Sequence, residues 1–193
     1  MPTSLLPNWN AMGVLPPVDL ADPTSDVRSP YRIDLSDFAL RFATSPERIA
    51  IIDGLLNYRT ELHGVGLTRG FQWIDGSFLE NIELLRSRPP KDIDVVTFYQ
   101  LGPGQTQADV LARNPELFTH DLVSTRFSID AYTQDLDSPG QDLVWWSAYW
   151  YGVWSHQRST FAWKGFVEVD LDPGQDAHAR SILLSTQPPG GGP

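Results

Sequence analysis

Gly76-Ser77 and Asp92-Ile93-Asp94 are the residues of this chain whose types and spacing can do chemistry together. Two carboxylates at i and i+2 on a strand point to the same face, because side chains alternate with period 2. The β-branched residues Ile93, Val95, Val96 and Thr97 place the acidic pair on such a strand. Like charges side by side on a partly buried strand are costly unless a cation lies between them. Hard oxygen donors suit Mg²⁺ (or Mn²⁺), which binds through one or two carboxylates and takes substrate phosphates as further ligands. Gly76-Ser77 follows another apolar stretch and can offer backbone N–H groups and a hydroxyl to a phosphate. The chemistry these residues point to is that of phosphoryl groups.

Gly-Ser followed after an interval by Asp-apolar-Asp resembles the signature of the polymerase-β-type nucleotidyltransferase superfamily, particularly its small prokaryotic members. Gly76, Ser77, Asp92 and Asp94 match it residue by residue. The interval from Ser77 to Asp92 is longer than in the smallest members, and the excess falls in the turn-forming stretch Arg86 to Lys91. More of the chain resembles an uncharacterised bacterial family of small nucleotidyltransferase-like proteins. Leu15-Pro16-Pro17, Arg41 to Ser45 with Arg48, Asp130-Ala131-Tyr132, Tyr149 to Gly165 and Ala179 to Leu183 carry that likeness.

The superfamily needs a third carboxylate on a neighbouring strand. Thr125 to Tyr132 reads as that strand, with Phe127, Ile129 and Ala131 facing the core and Ser128, Asp130 and Tyr132 on the polar face. The resemblance implies that Asp92 and Asp94 hold two metal ions, while Asp130 ligates one and helps deprotonate the attacking hydroxyl. It implies that Gly76-Ser77 binds the terminal phosphates of a nucleoside triphosphate. The activity implied is transfer of a nucleoside monophosphate to an acceptor hydroxyl on a protein, an RNA end or a small molecule. Some members serve in toxin-antitoxin pairs or phage defence. Asp135 and Asp137 are poorer ligand candidates because they run into the turn Ser138-Pro139-Gly140, and Asp75 reads as a turn residue before the glycine.

Two readings compete with the enzyme. One is a catalytically silent nucleotide-sensing or partner-binding protein of the same fold; the other makes the carboxylates a solvated strand edge. Metal dependence separates the last from the first two. The four histidines lie far apart without ligand spacing, and no P-loop or dinucleotide-binding glycine motif occurs. Trp145 to Trp154 holds four of the seven tryptophans. It reads as a helix packed on the sheet, with a platform for stacking a base as the functional alternative. His156, Arg158 and Lys164 follow it and read as one wall of a nucleotide pocket, with Arg158 and Lys164 as nucleotide-binding residues and Lys164 as a cation for the triphosphate.

A net charge of −10, from 14 basic against 24 acidic residues, disfavours long duplex nucleic acid, which is bound through Lys and Arg. Arg86, Arg88 and Lys91 still form a local basic patch beside the proposed site. The absence of cysteine excludes disulfides and agrees with a cytoplasmic location. No secretory signal or membrane-length apolar run is present.

These residues need elements to hold them. Residues 1–30, rich in Pro, Asp and Ser, read as an irregular arm whose Trp9, Met12, Val14 and Leu15 pack onto the body. Ser36 reads as the cap of a first helix, and Ser45-Pro46-Glu47 as the start of a second ending at Gly64 to Gly66. Strand Thr68 to Ile74, a short helix to Leu85, the Asp92 strand, two short helices over 106–122 and the Asp130 strand follow. The chain continues with the aromatic helix Gln141 to His156, strand Phe161 to Leu171 and a closing segment Asp176 to Leu184. The expected fold is α+β, a mixed sheet with helices mainly on one face, spanning 31–186. A disordered Pro-Gly tail is expected over 187–193.

Overall fold

Among the described residues five strands line up in the order β1-β5-β2-β3-β4. They are β1 (Tyr31–Arg32), β2 (Gly70–Asp75), β3 (Ile93–Tyr99), β4 (Ile129–Asp135) and β5 (Val167–Asp170). β2 runs antiparallel to β3 and β5, whereas β3 and β4, and β1 and β5, are parallel. The sheet is therefore mixed and the fold is α+β. The computed structural model describes residues 6–186. The expected tail, and the first five residues of the arm, lie outside them.

Strand alternation sorts the side chains into two faces. Gln72, Ile74, Ile93, Val95 and Thr97 face the helical layer, where Gln72 donates to the Thr97 hydroxyl and accepts from Arg59. Phe71, Trp73, Asp75, Asp94, Val96 and Phe98 face the other way, by the register that pairs Trp73 with Val96 and Asp75 with Asp94. Phe71, Trp73 and Phe98 form an aromatic cluster there, with ring centroids 4.7 Å apart for Phe71 and Phe98 and 4.8 Å for Trp73 and Phe98.

The helical layer is built on α2 (Pro46–Gly64). Ser45 accepts the Arg48 N–H and Pro46 occupies the first turn, as its start signals predict. Ile49, Ile52, Leu55, Leu56 and Leu62 are buried, the expected helical spacing. α1 (Leu35–Phe42) starts ahead of Ser36, with Asp34 at its cap position. It packs against α8 (Asp176–Thr186), which also rests on α2. α3 (Ile82–Arg86) follows a 3₁₀ turn over Ser77–Leu79. α4 (Gln107–Arg113), α5 (Pro115–Phe118) and α6 (His120–Phe127) lead to β4. α7 (Gly140–Trp154) crosses the opposite side.

Three expectations are corrected. Residues 125–127 belong to α6, not to a strand, because Val123 and Phe127 are buried one helical turn apart; β4 begins after Ser128, which takes a left-handed φ of 58°. The expected strand Phe161 to Leu171 shrinks to β5, because residues 156–163 form a loop closed by a bridge between His156 and Trp163. In the arm, Val14 and Leu15 are buried and Trp9 donates to the Leu79 carbonyl, but Met12 is exposed. Among the described residues no helix is long and apolar enough to cross a membrane.

Candidate active site

Asp75 ends β2, and its partner across the ladder is Asp94 on β3, whose partner in turn is Asp130 on β4. Directly paired residues share a face, so three carboxylates stand in one row across three neighbouring strands, with strands about 4.8 Å apart. Asp92, exposed just ahead of β3, points the same way as Asp94. The expected pairing of Asp92, Asp94 and Asp130 is thus brought together, and Asp75, expected to be a turn residue, is a fourth member.

The row carries more negative charge than a partly buried site holds unaided. Burial, followed by the charges of Asp75, Asp130 and Asp92, pushes the Asp94 carboxyl up to about 7, against the pull of Lys164. Asp75 is 3% exposed, and burial raises it to about 6 although Lys164 draws it down. The Lys164 ammonium lies 2.9 Å from Asp75 and 3.6 Å from Glu80. Burial works against that ammonium, but Asp75 with Glu80 and Asp94 outweighs it and holds its pKa above the usual lysine value. Lys164 therefore compensates the acidic row from within, where the sequence led us to expect it on a triphosphate.

His120, the first residue of α6, approaches from the other end. Its Nε2 lies 2.6 Å from Asp130 Oδ1 and its Nδ1 3.1 Å from Asp121. Asp121 and then Asp130 raise its pKa. Tyr132 is raised by burial and by Asp130, two residues before it on the same face.

Gly76 turns the chain away from β2 with φ 88°. A Cβ there would lie 2.9 Å from Asp94 Oδ2 and 3.0 Å from its Cγ, so only glycine lets the turn close over the acidic row. Gly76→Ala should destabilise the protein by about 1–3 kcal/mol, strain and crowding together. Urea unfolding measures it, and a midpoint equal to the parent's would show that the turn relaxes freely. Ser77 begins the 3₁₀ turn, and Arg48, buried under it, donates to the carbonyls of Phe78 and Glu80 at 2.7 and 2.8 Å and to Glu83. The phosphate-binding expectation thus falls on a turn fixed from below.

A cleft of about 730 Å³ joins these parts. Gly76, Ser77, Asp92, Asp94, Asp130, Arg158 and Lys164, every residue the sequence singled out for the site, line it. Arg86, Arg88 and His156 line it too, while Lys91 does not. Among the described residues Arg86, Arg88 and Arg158 make no ion pair; Arg86 reaches the Ser159 hydroxyl at 2.7 Å. Of the four tryptophans of α7 only Trp154 borders the cleft. Trp150 and Trp154 pack on Tyr132 and Phe166, and Trp145 stacks on Tyr149 at the surface. The base-platform alternative for that helix therefore lies away from the cleft for most of its length.

The donor set suits Mg²⁺ in kind: oxygen only, on adjacent strands, with one carboxyl lifted by burial and then by its neighbours' charge. The ligands are not drawn into a finished cage. Among the described residues no three His, Cys, Asp or Glu side chains already stand in a metal-holding group. Mg²⁺ commonly keeps several waters and takes substrate oxygens, so two carboxylates are enough. Asp94 and Asp130 are the pair that would hold it, with Asp92 beside them.

Residues 7–170 match the model of a family of unknown function (DUF6932), which is well over half of the chain, and the chain belongs to that family. No curated protein and no solved structure matches it.

Proposed function

We propose that the protein is a metal-dependent nucleotidyltransferase of the polymerase-β type. It would move a nucleoside monophosphate from a nucleoside triphosphate to an acceptor hydroxyl on a protein, an RNA end or a small molecule. One observation carries the reading: one cleft is lined by a row of carboxylates and by three arginines that make no ion pair among the described residues. In a chain of net charge −10, arginines without acidic partners facing one cavity suit a polyanion. A row of acids beside them suits the cation that accompanies a triphosphate.

In this reading Arg86, Arg88 and Arg158 take phosphate oxygens, and the Gly76-Ser77 turn offers its N–H groups and hydroxyl to the same chain of phosphates. The acceptor oxygen attacks the α-phosphorus in line, the bond from that phosphorus to the bridging oxygen breaks, and pyrophosphate departs. Asp130 accepts the proton of the attacking hydroxyl, and His120 orients that carboxylate. Lys164 holds Asp75 ionised and away from the phosphates. A bound Mg²⁺ would supply charge stabilisation to attacking and leaving oxygens.

The test is Asp130→Asn, assayed with labelled nucleoside triphosphates in a cell extract, following label into protein, RNA and small molecules. Asn keeps the shape without the proton-accepting group, so transfer should fall at least a hundredfold while triphosphate binding persists. Transfer undiminished in the variant would remove Asp130 from the reaction. The second reading, a silent nucleotide-sensing or partner-binding protein, is favoured by two observations. His120 already occupies Asp130, and Val144, Trp145 and Tyr149 leave an apolar face of α7 exposed. Triphosphate binding without transfer to any fraction would support it.

A further inference from the structure

Phe161 combines two costs that folded chains normally avoid. Its backbone lies in the left-handed region with φ 57°, where a bulky residue is rare, and the residue is 80% exposed. The loop around it is built to keep it so. The Phe161 N–H donates to the Gln157 carbonyl and the Gln157 N–H to the Ala162 carbonyl, both at 2.8 Å. The Thr160 hydroxyl bonds the Gln157 side-chain oxygen. Gln157 itself is buried, and its Nε2 donates to Glu80 at 2.8 Å, tying the loop to the same carboxylate that faces Lys164. The bridge between His156 and Trp163 closes the base of the loop. Strain held by so many independent contacts is a feature of binding and catalytic sites.

The ring lines the cleft, on the loop that carries Arg158 and that Arg86 reaches through Ser159. An aromatic face beside two arginines matches a ligand with a planar ring at one end and phosphates at the other. We infer that Phe161 is the platform on which the base of the nucleotide stacks, an inference that rests on the nucleotide reading above. Every base has a π-face, so the platform tolerates all four bases. The exposed ring is covered when the ligand binds, and the strain is the cost of presenting it.

Calorimetric titration with ATP and with inorganic tripolyphosphate, both with Mg²⁺, separates the base from the phosphates. The parent should bind ATP about tenfold more tightly than tripolyphosphate, the size expected of one stacked base. Phe161→Ala should bind the two alike, with tripolyphosphate affinity unchanged, and Phe161→Tyr should restore the preference. Phe161→Gly tests the strain without relying on affinity alone: its Tm should rise above the parent's while the preference for ATP is lost. A preference for ATP that survives in Phe161→Ala overturns the platform and leaves the nucleotide site standing. Equal binding of both ligands by the parent overturns the platform as well. Binding of neither overturns the platform together with the nucleotide reading.

Discussion

Lys164→Met should cost the fold about 3–5 kcal/mol, the loss expected when one partner of a buried ion pair is removed. Both members of the pair are almost fully enclosed, at 4% exposure for Lys164 and 3% for Asp75. Without the ammonium, Asp75 is left with burial and the Glu80 charge both against its ionisation. Methionine nearly fills the volume of the lysine stem, so the lost charge dominates over a cavity. The double variant Lys164→Met with Asp75→Asn should recover part of the loss, because the Asp75 charge is gone and only Glu80 is left without its cation. Asp75→Asn alone should cost less than Lys164→Met, since Lys164 retains Glu80. Urea midpoints of the three variants decide it. A single Lys164→Met variant within 1 kcal/mol of the parent, the size of an exposed pair, would show that the acidic row is neutralised by other means.

Asp94→Asn should make the protein more stable at pH 8, by an amount on the order of 1–3 kcal/mol, and indifferent to divalent metal. The folded-state value of Asp94 is about 7, above the ordinary 3.8 of the unfolded chain. Between these values the folded state binds more protons than the unfolded one, so stability falls as pH rises from about 4 to about 7. Asn carries no such proton and removes that slope. Mg²⁺ binds the ionised folded form and stabilises it by mass action, so its effect on Tm should be large at pH 8 and small at pH 5. Thermal unfolding across this pH range, with and without Mg²⁺, supplies both readouts. Parallel pH profiles for parent and variant would remove Asp94 as the strained acid of the row. An equal Mg²⁺ shift in both would place the metal elsewhere.

The strand that carries Asp94 was legible because β-branched Ile93, Val95 and Thr97 recur at period 2, and α2 because Ser45-Pro46 starts a helix whose Ile49, Ile52, Leu55, Leu56 and Leu62 keep helical spacing. What escaped depends on contacts between distant segments. Asp75 stands before a glycine, and turn chemistry masked the alternation Phe71, Trp73, Asp75 that puts it on the face of Asp94. His120 meets Asp130 only because α6 ends in the left-handed Ser128 and folds back onto β4. Residues 125–127 alternate well enough for a strand, yet the burial of Val123 and Phe127 one turn apart decides for a helix. Lys164 was recognised as a functional cation but assigned to a ligand, since its acidic partner lies 89 residues away in the chain.

The place of β5 in the sheet has a consequence for synthesis. Among the described residues it follows the other four strands in chain order, yet it lies between β1 and β2, the first two of them. A chain growing from its amino terminus can zip β2, β3 and β4 together while β1 still has no neighbour to dock on. At that stage one edge of β2 is bare, a ready template for pairing with another chain. Asp75 also stands beside Asp94 without its ammonium partner, because Lys164 arrives on the segment that leads into β5. Docking of residues 164–170 then caps the edge, captures β1 and discharges the repulsion in one late, long-range event. A nascent chain paused before that point presents the sticky, electrostatically frustrated form that chaperones and proteases meet first.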